Sequence, residues 1–509
     1  MSILRDGAIH LVDPRTGAEV GVVPCTTAPE LTAAVARARR AATAFGALSL
    51  EARKRAVRGF GDAILARAAD VAEILVSEIG KPPGEAWTSE IVTAQELFAH
   101  WLSVVDDELA DVEIPLNPIN YPGKRVVLRL DPVGVVGLIM PWNYPFHLPL
   151  RTIVPALLAG NAVVLKPSEH APRIGAILAE LAAATLPEGL VEVVQGGAEV
   201  GSHLIASGVD KIVFTGGATT GRRVAVACAE RLIPCSLELG SKDPAIVLAD
   251  ADLTRAANGI VWGAFHNAGQ DCASVERVYV DRSVSDAFVE RVVAATRALR
   301  MGDDIGPLIN AEQLAKVEAQ VADAVAGGAT ILCGGRRTGQ GFGFEPTVLI
   351  GVRPEMLVLR EETFGPLLPI VPVANVDEAV LLANDSPYGL CASVWGRNVD
   401  AALEVALRIQ CGVSYVNNCC FTGPMGGAAW VGRKQSGHGV TGSRFGLLGL
   451  VAVRTVCVDR FRGAREMWWY PYSGALTTMA RGLVELSRSG GSKLGGAQQA
   501  LSGLLNRWK

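Results

Sequence analysis

Between residues 135 and 280 the chain alternates short, continuously apolar runs with segments of helical spacing, and this alternation restricts the fold more than any other feature. Residues 135–140 (VVGLIM), 162–165 (AVVL), 191–194 (VEVV) and 211–214 (KIVF) read as strands. A strand that is apolar on both sides must be covered on both sides, as in a parallel sheet with crossover helices. Residues 172–184 and 219–231 have the spacing to be such helices. The pattern restarts with a strand at 245–248, a helix at 253–268 and a strand at 277–280, so a second α/β unit is expected. Upstream, residues 33–69 and 71–105 are helical in spacing. Residues 125–129 and 447–458 read as strands without local partners, so they are expected to pair with each other or with a second subunit. The expected class is α/β, with two parallel-sheet domains and a small β element.

At 509 residues, half of them hydrophobic and 19% charged, the chain can bury several cores, and two to four domains are expected. A formal charge of −4 without a basic run argues against nucleic acid as a partner. Ten cysteines without a C-x-x-C pair suit neither a zinc site nor a disulfide framework, so reduced thiols, no metal and a cytoplasmic location are expected. The N-terminus lacks the basic-then-apolar build of a signal peptide, and no run is apolar for 18 residues. The last fifty residues differ from the rest. MWWYPYS at 467–473 is aromatic, 487–496 is rich in Gly and Ser, and 498–508 can form a short amphipathic helix. No membrane partner is expected. The alternative is weak peripheral association through the tail, where Arg507, Trp508 and Lys509 suit an interface.

Several residues have the chemistry for a site, each with a plainer reading beside it. Cys272 offers a nucleophilic sulfur if a neighbour assists its ionisation, although most cysteines are small buried residues. Glu238 ends an apolar strand beside Gly240 and is either a base in a cleft or a solvated strand end. Asn143 follows the 135–140 strand between two prolines and is either an oxyanion donor or a turn residue. Lys166, Ser168 and Glu169 follow the next strand. FTGGATTG at 214–221 places Gly216 and Gly217 where a strand gives way to a helix, as a phosphate-binding turn requires, but its spacing is not G-x-G-x-x-G.

The order and wording of these segments resemble the aldehyde dehydrogenase superfamily over residues 10–460. The matching words are PWNYP at 141–145, LKPSE at 165–169, FTGG at 214–217, ELGSKDP at 238–244, GQDC at 269–272 and ETFGP at 362–366, with PMGG and KQSGHG further on. The resemblance implies that Cys272 attacks an aldehyde, that Asn143 and the Cys272 N–H hold the oxyanion, and that Glu238 activates the hydrolytic water. It also implies that Trp142, Lys166, Ser168, Glu169, Gly216, Gly217, Gly240, Glu362 and Phe364 bind NAD, with NADP possible. Glu169 suits a free ribose 2′-OH better than a 2′-phosphate, which favours NAD+. The implied domains are a Rossmann-like NAD-binding domain (1–112 and 132–240), a catalytic domain (241–430), an oligomerisation β element (113–131 and 431–460) and a C-terminal extension (461–509). A small-molecule aldehyde is the expected substrate, nonpolar or a semialdehyde, and a homodimer or homotetramer the expected assembly. Arg151 matches one half of a carboxylate clamp, whose other position holds His266. Thr152 stands where many relatives have a lysine, and the segment after PMGG is longer than usual. The alternatives are a CoA-acylating dehydrogenase, against which Glu238 argues, and a non-catalytic binding protein of the same fold.

Overall fold

The structure is a computed structural model that describes residues 3–118, 120–339 and 341–507. Trp508 and Lys509, named above as interface residues, lie outside the described residues. Two compact units emerge, one formed by residues up to 110 together with 130–453, the other by 111–129 together with the residues from 454 onward. The C-terminal residues therefore share a unit with 111–129.

The first unit holds both expected sheets. One contains β1 (Val135–Ile139), β2 (Ala162–Lys166), β3 (Val191–Val193), β4 (Lys211–Thr215) and β5 (Cys235–Glu238). Their spatial order is β3-β2-β1-β4-β5, all parallel, with the short strand Gly437–His438 antiparallel at the β5 edge. The chain reverses its winding between β1 and β4, and the crevice at the carboxyl ends of those strands is where such sheets bind ligands. The second sheet contains β6 (Asp243–Val247), β7 (Val275–Asp281), β8 (Thr330–Cys333), β9 (Thr347–Ile350), β10 (Leu367–Val373), β11 (Cys391–Trp395) and β12 (Val413–Val416). Its order is β8-β9-β10-β7-β6-β11-β12, parallel except for the β8–β9 pair. β1, β2 and β6 are buried at every position, as their unbroken apolar runs require.

Four helices position the site. α1 (His147–Ala159) follows β1, α2 (Pro172–Thr185) follows β2, α3 (Ala218–Ala229) follows β4 and α4 (Leu253–Phe265) follows β6. The buried carboxylate of Glu90 accepts from the N–H groups of Phe146 and His147 (3.2 and 2.8 Å) and so caps α1 from a distance. Glu78 does the same for α2, accepting from Arg173 and Ile174 N–H (2.8 and 3.0 Å). By contrast α3 begins at Gly217 with no side-chain cap, which leaves its first N–H groups bare.

The second unit contains a three-stranded sheet ordered Val451–Asp459, Lys124–Pro132, Val112–Ile114, some of whose strand ends run into the first unit. The two strands without local partners thus pair with each other. One expectation is corrected: residues 447–458 are not a single strand. Ser443–Leu448 is a helix that buries Leu447, and the strand begins at Val451 after Gly449. The unit ends in a helical hairpin, α5 (Gly474–Ser487) and α6 (Lys493–Leu505). No helix among the described residues is long and apolar enough to cross a membrane.

Candidate active site

The residues singled out from the sequence sit at the carboxyl ends of neighbouring strands. Asn143 follows β1, Lys166–Glu169 end β2, Gly216 and Gly217 follow β4, and Glu238–Gly240 end β5. The β5 end is fixed from outside the sheet. Leu239 N–H donates to Ser436 O (3.0 Å), Ser436 Oγ to Gly240 O (2.8 Å) and Gly216 N–H to Glu238 O (3.0 Å). The KQSGHG word therefore serves as a clasp on the strand that carries Glu238.

Cys272 reaches this edge from the second sheet, on the turn that precedes β7. Three consecutive residues of that turn, Asn267, Ala268 and Gly269, have positive φ (53°, 56° and 72°), a strained path for Ala. Asn267 holds it in place. Its Nδ2 donates to Asn143 O and Gln270 O, both at 3.0 Å, and its N–H to the Glu85 carboxylate. One side chain thus ties the Asn143 loop to the Cys272 loop.

Cys272 lines two cavities. The wide one, about 510 Å³, has walls that include Trp262, Phe265, Ile305, Phe421 and Trp430. The narrow one, about 20 Å³, also contains Glu238, Arg151, Thr152 and Thr441. The Glu238 carboxyl is buried and Cys272 is half-buried between the two cavities. Burial first, then the nearby Asp271, Glu238, Asp243 and Glu362, push the thiol well above its usual range. Burial also pushes Glu238 up to about 8, against the opposing pull of Arg151 and Thr441. Thr441 Oγ1 donates to one Glu238 oxygen (3.3 Å), and the other has no partner among the described residues. Asn143 is 3% exposed, and its Oδ1 is likewise without a partner. That oxygen is an acceptor and cannot hold an oxyanion, which would be met by the donor on the other arm of the amide, Nδ2.

The cofactor candidates divide into two groups. Glu362 lies against Gly240, where a Cβ would come within 2.6 Å of its carboxylate, and it accepts from Ser241 N–H (2.8 Å). Phe364 packs edge-on to Trp142, with ring centroids 5.5 Å apart. Lys166 is occupied: its Nζ donates to Pro167 O (2.8 Å) and Gly196 O (2.6 Å), with Glu169 at 3.7 Å. Ser168 Oγ only accepts from His170 N–H nearby (3.2 Å). Glu169 opens instead onto a separate cavity of about 430 Å³ also lined by Arg5, His10 and Leu11. A bare helix start at Gly217, with open space around it, and a glycine cradle for Glu362 together suit a dinucleotide.

Sequence reasoning missed several residues. Glu276 accepts from Thr363 and Phe364 N–H (2.7 and 2.9 Å) and from Lys242 Nζ (2.6 Å), and so shapes the loop that carries Glu362. Tyr144 donates to Asp271 (2.9 Å) and meets His266 Nδ1 (2.9 Å), whose Nε2 lies 3.1 Å from Glu85. His147 lines the wide cavity with neither ring nitrogen bonded, and burial pushes it down to about 3, so it is neutral. Arg151, expected from sequence at one position of a carboxylate clamp, is engaged mainly by backbone, with its Nε left without a partner among the described residues. Its guanidinium donates to the carbonyls of Gly423, Ala428 and Thr441 and lies over the Trp430 ring. His266, at the other clamp position, is held near 4 by burial and is uncharged. These bonds bracket PMGG and the long segment after it, which supplies Trp430 to the cavity wall.

Residues 4–456 match the model of the Aldehyde dehydrogenase family. A 4,4'-diapolycopene aldehyde oxidase from a Methylomonas species is 36% identical over 92% of this chain and 89% of its own. The NADP+-dependent succinate-semialdehyde dehydrogenase GabD of Escherichia coli K12 is 35% identical over 89% of this chain and 94% of its own. Among solved structures, a Mycobacterium tuberculosis aldehyde dehydrogenase complexed with NAD+ matches with a TM-score of 0.85 and 33% identity, covering 90% of this chain and 96% of that one.

Proposed function

The chain belongs to the aldehyde dehydrogenase family and oxidises aldehydes with NAD(P)+, and from that premise we propose that Cys272 is its nucleophile, Asn143 its oxyanion donor and Glu238 its hydrolytic base. The observation that carries this reading is that Cys272 lines both the wide apolar cavity and the narrow one that contains Glu238. The aldehyde enters the wide cavity, and the sulfur, as the thiolate left when its proton passes to solvent, adds to the carbonyl carbon. The Asn143 amide and the Cys272 N–H receive the oxygen as it gains charge. Gly216, Gly217, Gly240, Trp142, Glu362 and Phe364 hold NAD(P)+, which supplies the hydride acceptor when bound. Glu238 then draws a proton from water, and the hydroxide releases the acid from the thioester on Cys272.

The wide cavity suits an uncharged apolar aldehyde, aromatic or long-chain. Its volume is that of a drug-sized ligand. Its one arginine, Arg151, is occupied by carbonyls, and Glu85 and Asp271 oppose a distal carboxylate, while Asp303 and Asp304 are paired with Arg300. On this reading the cavity favours the 4,4'-diapolycopene aldehyde in the name of the Methylomonas relative over a semialdehyde. NAD+ is the favoured cofactor, because Lys166 is pinned to carbonyls and is not free to meet a 2′-phosphate. The first five strands, with the helices before them, form the cofactor domain, and the second sheet the catalytic domain. The exposed edge of Val451–Asp459 offers unpaired backbone to a second subunit, so the enzyme is a dimer or tetramer.

The test is a panel of aldehydes assayed with NAD+ and NADP+, with and without CoA, for wild type and Cys272→Ala. The wild type should form free acid without CoA and prefer apolar substrates. The variant should lose roughly 10⁴-fold or more in kcat. Turnover by the variant at the parental rate would remove Cys272 from the reaction, and acyl-CoA as the main product would remove the hydrolytic role of Glu238.

A further inference from the structure

The C-terminal hairpin is built the wrong way round for water. Where α5 and α6 meet, the contact is made by small residues. A Cβ at Gly496 would come within 2.9 Å of Gly482 O and Leu486 N, while Cβ atoms at Gly482 and Gly503 would collide with the backbone of Ala500 and Met479. At 100° per residue, Gly496, Ala500 and Gly503 share one stripe of α6, and Leu494, Leu501 and Leu505 share the stripe roughly opposite. Those leucines are exposed, Leu494 to 84% and Leu505 to 65%. Soluble hairpins bury their leucines, whereas close packing through small residues with large apolar ones outside is how helices associate in lipid.

The loop before the hairpin adds aromatic side chains. Trp468, Trp469, Tyr470 and Tyr472 are all exposed, Tyr470 to 76%. Arg507, named from sequence as an interface residue, is instead buried: its guanidinium donates to Met467 O (2.9 Å) and Pro471 O (3.0 Å) and holds this loop against the end of α6. An open groove of about 760 Å³ runs beside the loop, lined by Tyr121, Trp468, Leu483, Val484 and Arg488.

Charge decides what covers this face. From Arg454 onward the sequence has nine Lys and Arg against three Asp and Glu, a net +6 in a chain whose total is −4. Each of the three acids already has a basic neighbour: Asp459 and Glu466 contact Lys124 (2.9 and 2.7 Å), and Glu485 lies 3.7 Å from Arg488. A second copy would bring like charges together. Exposed Trp and Tyr, leucines and unbalanced basic charge are the composition of a surface that lies in an anionic lipid interface. With no helix among the described residues long and apolar enough to span, the contact proposed is peripheral.

We propose that the hairpin and its aromatic loop dock the protein on an anionic phospholipid bilayer, with the leucines and aromatics in the interfacial layer and the arginines toward the headgroups. The assignment is independent of the role of Cys272. The test is flotation of the full-length protein with phosphatidylcholine vesicles, with or without phosphatidylglycerol, at low and high salt. Binding to the anionic vesicles, weakened by salt, is expected. Arg462→Ala with Arg481→Ala should lower the partition coefficient by about thirtyfold. Trp469→Ser with Tyr470→Ser should lower it as well, while oxidation of a small water-soluble aldehyde stays unchanged. Retained activity in both variants excludes misfolding as the cause of lost binding. No binding to anionic vesicles at low salt, or equal binding by parent and variants, overturns the proposal. So does a fall in oligomer mass in the Trp469/Tyr470 variant, which would make this face a contact between copies.

Discussion

At the level of single residues, the site is dominated by two acids with raised pKa, the half-buried Cys272 thiol and the buried Glu238 carboxyl. Glu238 is pushed up to about 8, so it is mostly protonated at pH 7 and becomes a competent base as pH rises through that value. Steady-state kcat should therefore climb between pH 7 and 9. Glu238→Gln should lower kcat by roughly 10²–10⁴-fold and remove that rise, while a first-turnover burst of reduced cofactor persists because acyl-enzyme still forms. A variant without a burst would move Glu238 from hydrolysis to the first step. Arg151 is tested differently. Arg151→Leu strips donors from the half-buried carbonyls of Gly423, Ala428 and Thr441, at a cost of about 1–3 kcal/mol. Its melting temperature should fall while the preference for apolar over carboxylate-bearing aldehydes remains. Selective loss of semialdehyde turnover would restore the clamp.

Among the elements, loops set the geometry and strands support it. Asn267→Ala frees the Cys272 turn from the Asn143 loop, so kcat should fall with little change in cofactor KM. Gly240→Ala drives a methyl into Glu362, so the cofactor KM should rise while the Cys272 thiol still reacts with iodoacetamide at the parental rate. Sequence made the strands legible because β1, β2 and β6 are unbroken apolar runs, and such runs are distinctive. The same evenness hid α1, which is buried almost all round and contains Pro149 and Pro155, so it has no amphipathic period to detect. Cys272, Glu238 and Asn143 were legible because their flanking words are specific. The partners of Arg151 were not, because backbone carbonyls some 270 residues away leave no mark in the amino-acid order. The carboxyl of Glu276, inside a strand, was hidden for a related reason: what it binds are two main-chain N–H groups of a distant loop.

For the molecule as a whole, the nine-residue strand Val451–Asp459 at a sheet edge, exposed along most of its length, requires cover. Light scattering at micromolar concentration should give a dimer or tetramer mass, and a monomer would leave that edge unexplained. The placement of Cys272 between two unequal chambers has a further effect on turnover. A space of about 20 Å³ admits a single water and nothing larger. It is a cul-de-sac for any acyl group, so the finished acid must back out along the route by which the aldehyde arrived. The bulkiest guests, gripped best on the way in, will then be the slowest to depart, and egress rather than chemistry will pace the cycle for them.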